Sequence, residues 1–293
     1  MHVVVTGASG LIGGALIREL RRRGTNVIAV SRNPRAHAAS GGVNWIAWDG
    51  LPDAVAGAAG VVHLAGEGIV DQRWSESRKT ALRNSRIERT AQVVEAIQAS
   101  GEKPAVLVSA SAIGYYGSRV ERESSEAAPP GNDFLASLCQ DWEAATSEAG
   151  VRTATLRFGI VLATEGGALE RLLLPFKLGL GGPIGLGRAW WSWVHIDDTV
   201  GVIMHALQDS AVEGALNVTA PHPVRNAEFS RALGRALKRP AFAPLPPIAL
   251  KLMLGEGASV LLASQRIIPT RTLDLGYRFL HPEIDSALQD LVG

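Results

Sequence analysis

Short β-branched runs alternate with longer stretches of helical spacing through the first half of the chain. His2–Thr6 (HVVVT) is an apolar run ending at a glycine, the pattern of a buried parallel strand. Leu11–Arg23 places apolar residues at helical spacing and ends in a basic turn, with Gly24 as the stop. Asn26–Val30, Asn44–Trp48 and Gly60–Leu64 read as further strands. Glu76–Ser100 predicts a long helix, with Leu82, Ile87, Val93, Val94 and Ile97 as its apolar positions. Ala105–Ser109 and Arg152–Leu156 predict strands on either side of a helix over Asp133–Ala149, capped by Asp133. Strands alternating with helices predict an α/β fold, a doubly wound parallel sheet of the Rossmann type.

After about Gly159 the pattern loosens. Gly179–Gly187 is loop-like by composition. Val194–Asp198 predicts a short strand running into helix-starting carboxylates. Asn226–Lys238 predicts an amphipathic helix with Asn226 as its N-cap. Pro240–Pro247 reads as an extended connector.

Composition narrows the class. The 293 residues are 46% hydrophobic and 19% charged, so the chain buries a core and is not disordered. Lys and Arg number 29 against 28 Asp and Glu, a net +1. That balance gives no electrostatic footprint for nucleic acid or an anionic membrane, so neither is expected as a partner. Cys139 is the single cysteine, which excludes an intrachain disulfide and a cysteine metal cluster. No apolar run reaches the roughly 18 residues of a spanning helix. The chain starts directly on a strand pattern, so the expectation is a cytoplasmic protein without a signal peptide.

Thr6–Gly13 (TGASGLIG) sets three glycines as Gly7-x-x-Gly10-x-x-Gly13 between a strand and a helix. In that context Gly7 serves the tight turn, Gly10 the approach of a pyrophosphate and Gly13 the packing of helix on strand. Thr6, Ser9, Leu11 and Ile12 complete the loop, and the helix N-terminus supplies N–H groups to phosphate. The second strand ends Ser31-Arg32, and no carboxylate occurs between Thr25 and Trp48. A hydroxyl and an arginine there suit a ribose 2′-phosphate, so the expected cofactor is NADP(H), not NAD(H). Residues 1–160 are then the NADP-binding Rossmann domain, with the sheet returning within 190–220. Residues 161–293 form a smaller C-terminal substrate lobe.

TGASGLIG, Val61–Gly66 (VVHLAG) and the strand end Ser109-Ala110-Ser111 follow the order of an extended short-chain dehydrogenase/reductase. Ser111–Gly117 (SAIGYYG), Asp133–Glu143, Leu156–Leu162, Trp191–Asp198 (WSWVHIDD) and Ser264–Pro269 sharpen the match. Over essentially its whole length the chain resembles the atypical "epimerase family protein" subfamily, the YfcH-like and SDR39U1-like group. The resemblance implies NADP(H) in a Rossmann domain. It implies that His63, Leu64, Ala65 and Gly66 line the nicotinamide ribose and pyrophosphate side, and that Ser109 is also cofactor-binding. Glu67 would meet ribose or substrate, and Arg86 would reach phosphate.

The chain departs from the superfamily's chemistry in two places. Ordinary members use Tyr-x-x-x-Lys with an upstream serine. Ser111 matches the serine, but neither Tyr115, Tyr116 nor Tyr277 has a lysine four positions on. In the helix that should carry the pair, Phe134, Leu135, Leu138, Cys139 and Trp142 take the places. Ser111 is then expected to bond a substrate oxygen; Tyr115 and Tyr116, just after it, are the candidate catalytic substitutes near the nicotinamide, and the proton donor is left unassigned. Glu143 and Glu67 are the best-placed carboxylates. Related nucleotide-sugar enzymes also carry an arginine before the strand at Val194, where this chain has Trp191. Arg188, Trp191 and Trp193 are therefore expected to form the lip of an aromatic-lined pocket. No metal is expected, because His195, Asp197 and Asp198 read as a strand end and a capped helix. The functional expectation is an oxidoreductase or epimerase acting on a small carbonyl or alcohol. The alternative is an NADPH-binding regulatory or scaffold protein. Pairing of the two long helices would make a homodimer.

Overall fold

The computed structural model describes residues 2–37 and 43–293. The elements run β1 His2–Thr6, α1 Leu11–Arg22, β2 Asn26–Val30, β3 Val43–Ile46, α2 Leu51–Val55, β4 Gly60–His63, α3 Glu76–Ala99 and β5 Val106–Ala112. Then come β6 Arg119–Ser124, α4 Phe134–Ser147, β7 Arg152–Phe158, β8 Ile160–Leu162, α5 Gly167–Lys177, β9 Trp190–Trp191 and β10 Trp193–His195. The last third holds α6 Ile196–Gln208, β11 Gly214–Val218, β12 Val224–Arg225, α7 Asn226–Leu237 and α8 Pro247–Leu254. It closes with α9 Ala258–Leu262, β13 Ser264–Ile267, α10 Thr270–Asp274 and α11 Ile284–Val292.

Seven strands form one sheet in the order β11-β7-β5-β4-β1-β2-β3, every pairing parallel. The order reverses between β1 and β4, and ligands of such sheets lie outside the strand ends at that switch. Strand alternation divides the core. Val3 and Val5 face α1 and α6 with Leu16, Val202 and Ile203, whereas Val4 faces α2 and α3 with Leu51, Val93 and Ile97. A β-branched, doubly buried strand is what HVVVT encodes.

β11 completes the sheet from far along the chain. The predicted helix and strand positions hold to within a few residues for β1 through α4. The sequence reading leaves out α2, β6 and α5, as well as the short strands β8, β9, β12 and β13, and places β11 only as a return of the sheet within 190–220. The first is short, and the second is an edge strand of alternating charge, Arg119–Ser124. In α5 a proline, Pro175, interrupts the helical pattern.

A second core lies in the later part of the chain, around Leu162, Leu169, Trp191, Trp193, Phe229, Leu233 and Leu288. Here two expectations are corrected. Arg225, not Asn226, is the N-cap residue of α7. The Asn226 side chain reaches across to accept the N–H of Ile184 at 2.7 Å, which pins the glycine-rich loop to the helix. Trp191 and Trp193 are not a pocket lip. Trp193 is fully buried and donates its indole N–H to the His222 carbonyl, while Trp191 packs on Phe229 at 4.9 Å.

Candidate cofactor and catalytic site

The turn between β1 and α1 is built by glycine. Gly7 has φ +66°, and a Cβ there would lie 2.5 Å from the Leu64 carbonyl carbon. A Cβ on Gly13 would lie 2.4 Å from the Gly7 oxygen. Both positions are closed to side chains by backbone. A Cβ on Gly10 meets only the Gly7 oxygen, at 3.2 Å, with open space beyond. No side chain caps α1 and no carboxylate stands in its first turn. The N–H groups of Leu11, Ile12 and Gly13 have no acceptor among the described residues. Free N–H groups, the positive end of the helix and open space above Gly10 fit a pyrophosphate. Gly13→Ala is expected to lose about 1–3 kcal/mol of stability by overpacking. Urea unfolding checks this, and an unchanged midpoint would contradict the packing.

At the end of β2, Arg32 is exposed and makes no hydrogen bond or ion pair among the described residues. Ser31 is buried and its hydroxyl accepts the Asn33 N–H at 3.2 Å. A free guanidinium beside a hydroxyl is the donor set a 2′-phosphate requires.

The loop after β4 is clamped to α3. Arg86 donates to the Glu67 carbonyl at 3.0 Å and lies over the Trp142 ring at 5.2 Å. The Ser85 hydroxyl accepts the Glu67 N–H, and the Glu67 carboxylate pairs with the buried Arg78. Arg86 therefore braces the loop, and its side chain is engaged before any phosphate arrives. Sequence reasoning missed Arg78 because a helix-borne arginine looks like surface.

Thr6, His63 and Ser109 are fully buried. The Thr90 hydroxyl donates to the Arg86 carbonyl at 2.7 Å, so it accepts from His63 Nε2 at 3.1 Å. His63 Nδ1 then accepts the Thr6 hydroxyl at 2.7 Å. Burial lowers the His63 pKa to about 4, so the ring is neutral near pH 7. Ser109 bonds Thr146 of α4. These three side chains support the floor of the site from below.

A second polar network crosses the ends of β5, β7 and β11. Glu143 on α4 takes a bidentate pair from Arg157, at 2.8 and 2.7 Å, and the Ser111 proton at 2.7 Å. Arg157 also donates to the Tyr116 oxygen at 2.8 Å, and the Tyr116 hydroxyl donates to Asn217 at 2.7 Å. Ser111 and Tyr116 are thus both bonded within the protein. The Ser111 proton is committed to a carboxylate that can only accept. Tyr116 is buried and bonded, and burial pushes its pKa up to about 12. Tyr115 differs. It is half-buried, Arg157 lies over its ring at 3.4 Å, and its hydroxyl has no partner among the described residues. Leu135 and Cys139 occupy the helix face toward the turn that follows β5, 3.4 and 3.7 Å from a Cβ placed on Gly114. Burial pushes the Cys139 thiol up to about 12, so it supplies neither acid nor base.

Beyond β6, an open groove of about 860 Å³ is lined by Arg119, Arg188, Arg225 and Arg231, with Glu121, Leu186 and Leu262; Glu121 pairs with Arg225 at 3.1 Å, so three of the four arginines have no ion-pair partner among the described residues. Trp190 packs between Arg225 at 4.0 Å and Arg266 at 4.7 Å. Arg188 is exposed in this groove.

His195, Asp197, His281 and Asp290 converge, with candidate ligand atoms within 4.8 Å of one another. The two imidazoles stack at 3.8 Å and 24°, so their in-plane lone pairs do not meet at one point. His195 Nδ1 already accepts the Asp197 N–H at 3.1 Å, capping α6. Asp198, fully buried, accepts the Leu280 and His281 N–H groups and ties down the C-terminal segment.

A doubly wound parallel sheet with a glycine turn opening onto its switch point defines a dinucleotide-type Rossmann protein. Comparison with known proteins agrees. The model of the NAD dependent epimerase/dehydratase family matches residues 3–219, and a domain of unknown function (DUF1731) matches residues 245–291. The chain belongs to the NAD dependent epimerase/dehydratase family, within its epimerase family protein group. It is 40% identical to the human epimerase family protein SDR39U1 over 299 residues, all of both chains. An Arabidopsis thaliana homologue named as chloroplastic is 39% identical, over all of this chain and 87% of that protein. The crystal structure of human SDR39U1 with NADPH superposes with a TM-score of 0.93 at 38% identity, over 100% of this chain and 99% of that one. Among the described residues, no helix is long and apolar enough to cross a membrane.

Proposed function

We propose that the protein binds NADP(H) and transfers hydride between it and a small carbonyl or alcohol substrate that carries an anionic group. The single observation that carries the cofactor assignment is Arg32 beside Ser31, without a partner among the described residues, at the end of the strand next to an open glycine turn. The human relative crystallised with NADPH supports it. The cofactor supplies the hydride chemistry, and the chain supplies position and a proton path. The N–H groups of Leu11, Ile12 and Gly13 hold the pyrophosphate, and Arg32 holds the 2′-phosphate. Tyr115 is the proton-transfer group, because its hydroxyl is the one in the network left without a partner. Arg157 and Glu143 fix the floor beneath it. The arginine groove takes the anionic part of the substrate. The single, buried cysteine supports a reducing compartment, the cytoplasm.

Tyr115→Phe is expected to lower kcat by about 100-fold or more while NADPH affinity stays unchanged. The measurement is NADPH oxidation against a panel of anionic carbonyl compounds. Full activity in the variant would remove Tyr115 from the chemistry.

Leu135 and Cys139, on the helix face where an acid–base pair would stand, favour a second reading. In it NADPH occupancy sets the shape of residues 179–187 for a protein partner. Hydrogen exchange of that loop with and without NADPH separates the two. Equal exchange rules the second reading out.

A further inference from the structure

The near-neutral charge of the whole chain conceals a division. Residues 171–196 and 229–255 contain no carboxylate and eight of the 29 Lys and Arg residues. The remaining chain holds 21 cations against all 28 acids. The same two segments hold nine of the ten exposed large apolar side chains among the described residues, Leu280 being the exception.

The fold joins these segments into one face. Arg239 donates to the Lys177 carbonyl at 3.1 Å. The Ala243 N–H bonds the Gly181 oxygen, the Leu245 N–H bonds the Pro183 oxygen, and the Gly185 N–H bonds the Leu245 oxygen. Leu178 and Leu180 thus stand on one ribbon and Phe242 on the ribbon beside it, 65%, 68% and 78% exposed. Next to Phe242 lies a groove of about 540 Å³ lined by Arg231, Arg235, Lys238 and Arg239; Arg235 is paired with Asp285 of α11 at 2.5 Å, which leaves Arg231, Lys238 and Arg239 as its cations without an ion-pair partner among the described residues. The second ribbon runs directly into α8. Ile248 and Leu252 are one turn apart there and both exposed, with Lys251 beside them, and Leu250 is the only buried residue of the helix.

Large apolar side chains left in water mark a surface that is covered in use. Interleaved long cations decide what covers it. A second copy meeting this face through a twofold axis would set lysines and arginines against their own kind. An anionic bilayer meets both features at once. Leucine and phenylalanine tips enter the acyl boundary, and the cations meet the headgroups.

We propose that this face docks the protein onto an anionic lipid surface, peripherally, with Leu178, Leu180 and Phe242 as the inserting side chains. The proposal is independent of the reaction. The test is co-sedimentation of the full chain with phosphatidylcholine vesicles, with and without phosphatidylserine, at low and high salt. The expected result is at least about tenfold more binding to the phosphatidylserine vesicles, lost at high salt. Phe242→Glu and Lys238→Glu should each weaken it several-fold while thermal melting and NADPH binding stay unchanged. Absence of binding to either vesicle overturns the proposal, as does equal binding to both. Concentration-dependent self-association that Phe242→Glu abolishes, without vesicle binding, assigns the face to a second copy and also overturns it.

Discussion

Replacing Glu143 with leucine is expected to cost about 3–5 kcal/mol of stability, the penalty of leaving a buried cation unpaired. Arg157 is 4% exposed, and Glu143 supplies both acceptors of its bidentate pair. The same change frees the Ser111 hydroxyl and leaves Arg157 bound only to Tyr116 and the face of Tyr115. The melting temperature should fall by roughly 10 °C. Removing both charges together, as Glu143→Leu with Arg157→Met, should cost less than Glu143→Leu alone, because no orphaned ion remains. Equal costs for the single and double variants would show that the pair is not what holds α4 to the sheet. A network this committed also explains why no free acid stands on α4. The carboxylate best placed by motif is already used in holding the strand ends together.

Acid should weaken the fold through His63. Its folded pKa is lowered to about 4 by burial, against about 6.5 in the unfolded chain. The unfolded state therefore takes up the proton first. The neutral ring's contribution is fully present above pH 6.5. It drains away as pH falls toward 4, then levels off. The shift corresponds to about 3 kcal/mol. His195, lowered by burial and by the neighbouring His281, adds in the same direction. Urea unfolding from pH 7.5 to 4 measures the slope, compared with His63→Gln, which has no proton to gain. The variant should be less stable at pH 7.5, because the Thr6 and Thr90 hydroxyls lose a fitted partner, but its profile should be flatter. Parallel profiles would place the acid sensitivity elsewhere.

Much of the sheet and the glycine turn are legible in the chain because local pattern and tertiary position agree there. HVVVT is a doubly buried strand, and Gly7 and Gly13 are required by the backbone of Leu64 and Gly7 that crowds them. Legibility falls where a side chain is chosen for a distant partner. Trp191 and Trp193 read as a lip because aromatic residues after a glycine loop suit one, yet both turn inward to Phe229 and His222. Asn226 reads as a cap but serves the main chain 42 residues before it. Ser111 and Tyr116 carry the right chemistry by motif, and only the Glu143–Arg157 pair shows that their protons are engaged. The paired acid and base missing from the α4 sequence are missing from the folded site as well, where leucine and a raised-pKa cysteine face the turn that follows β5.

The central claim is NADP(H) held by a glycine turn and selected by Arg32, and calorimetric titration tests it most directly. NADPH should bind at least about tenfold more tightly than NADH, and Arg32→Ala should abolish that preference while leaving NADH binding unchanged. Equal affinities in the unaltered protein, or a preference that survives Arg32→Ala, would contradict the account.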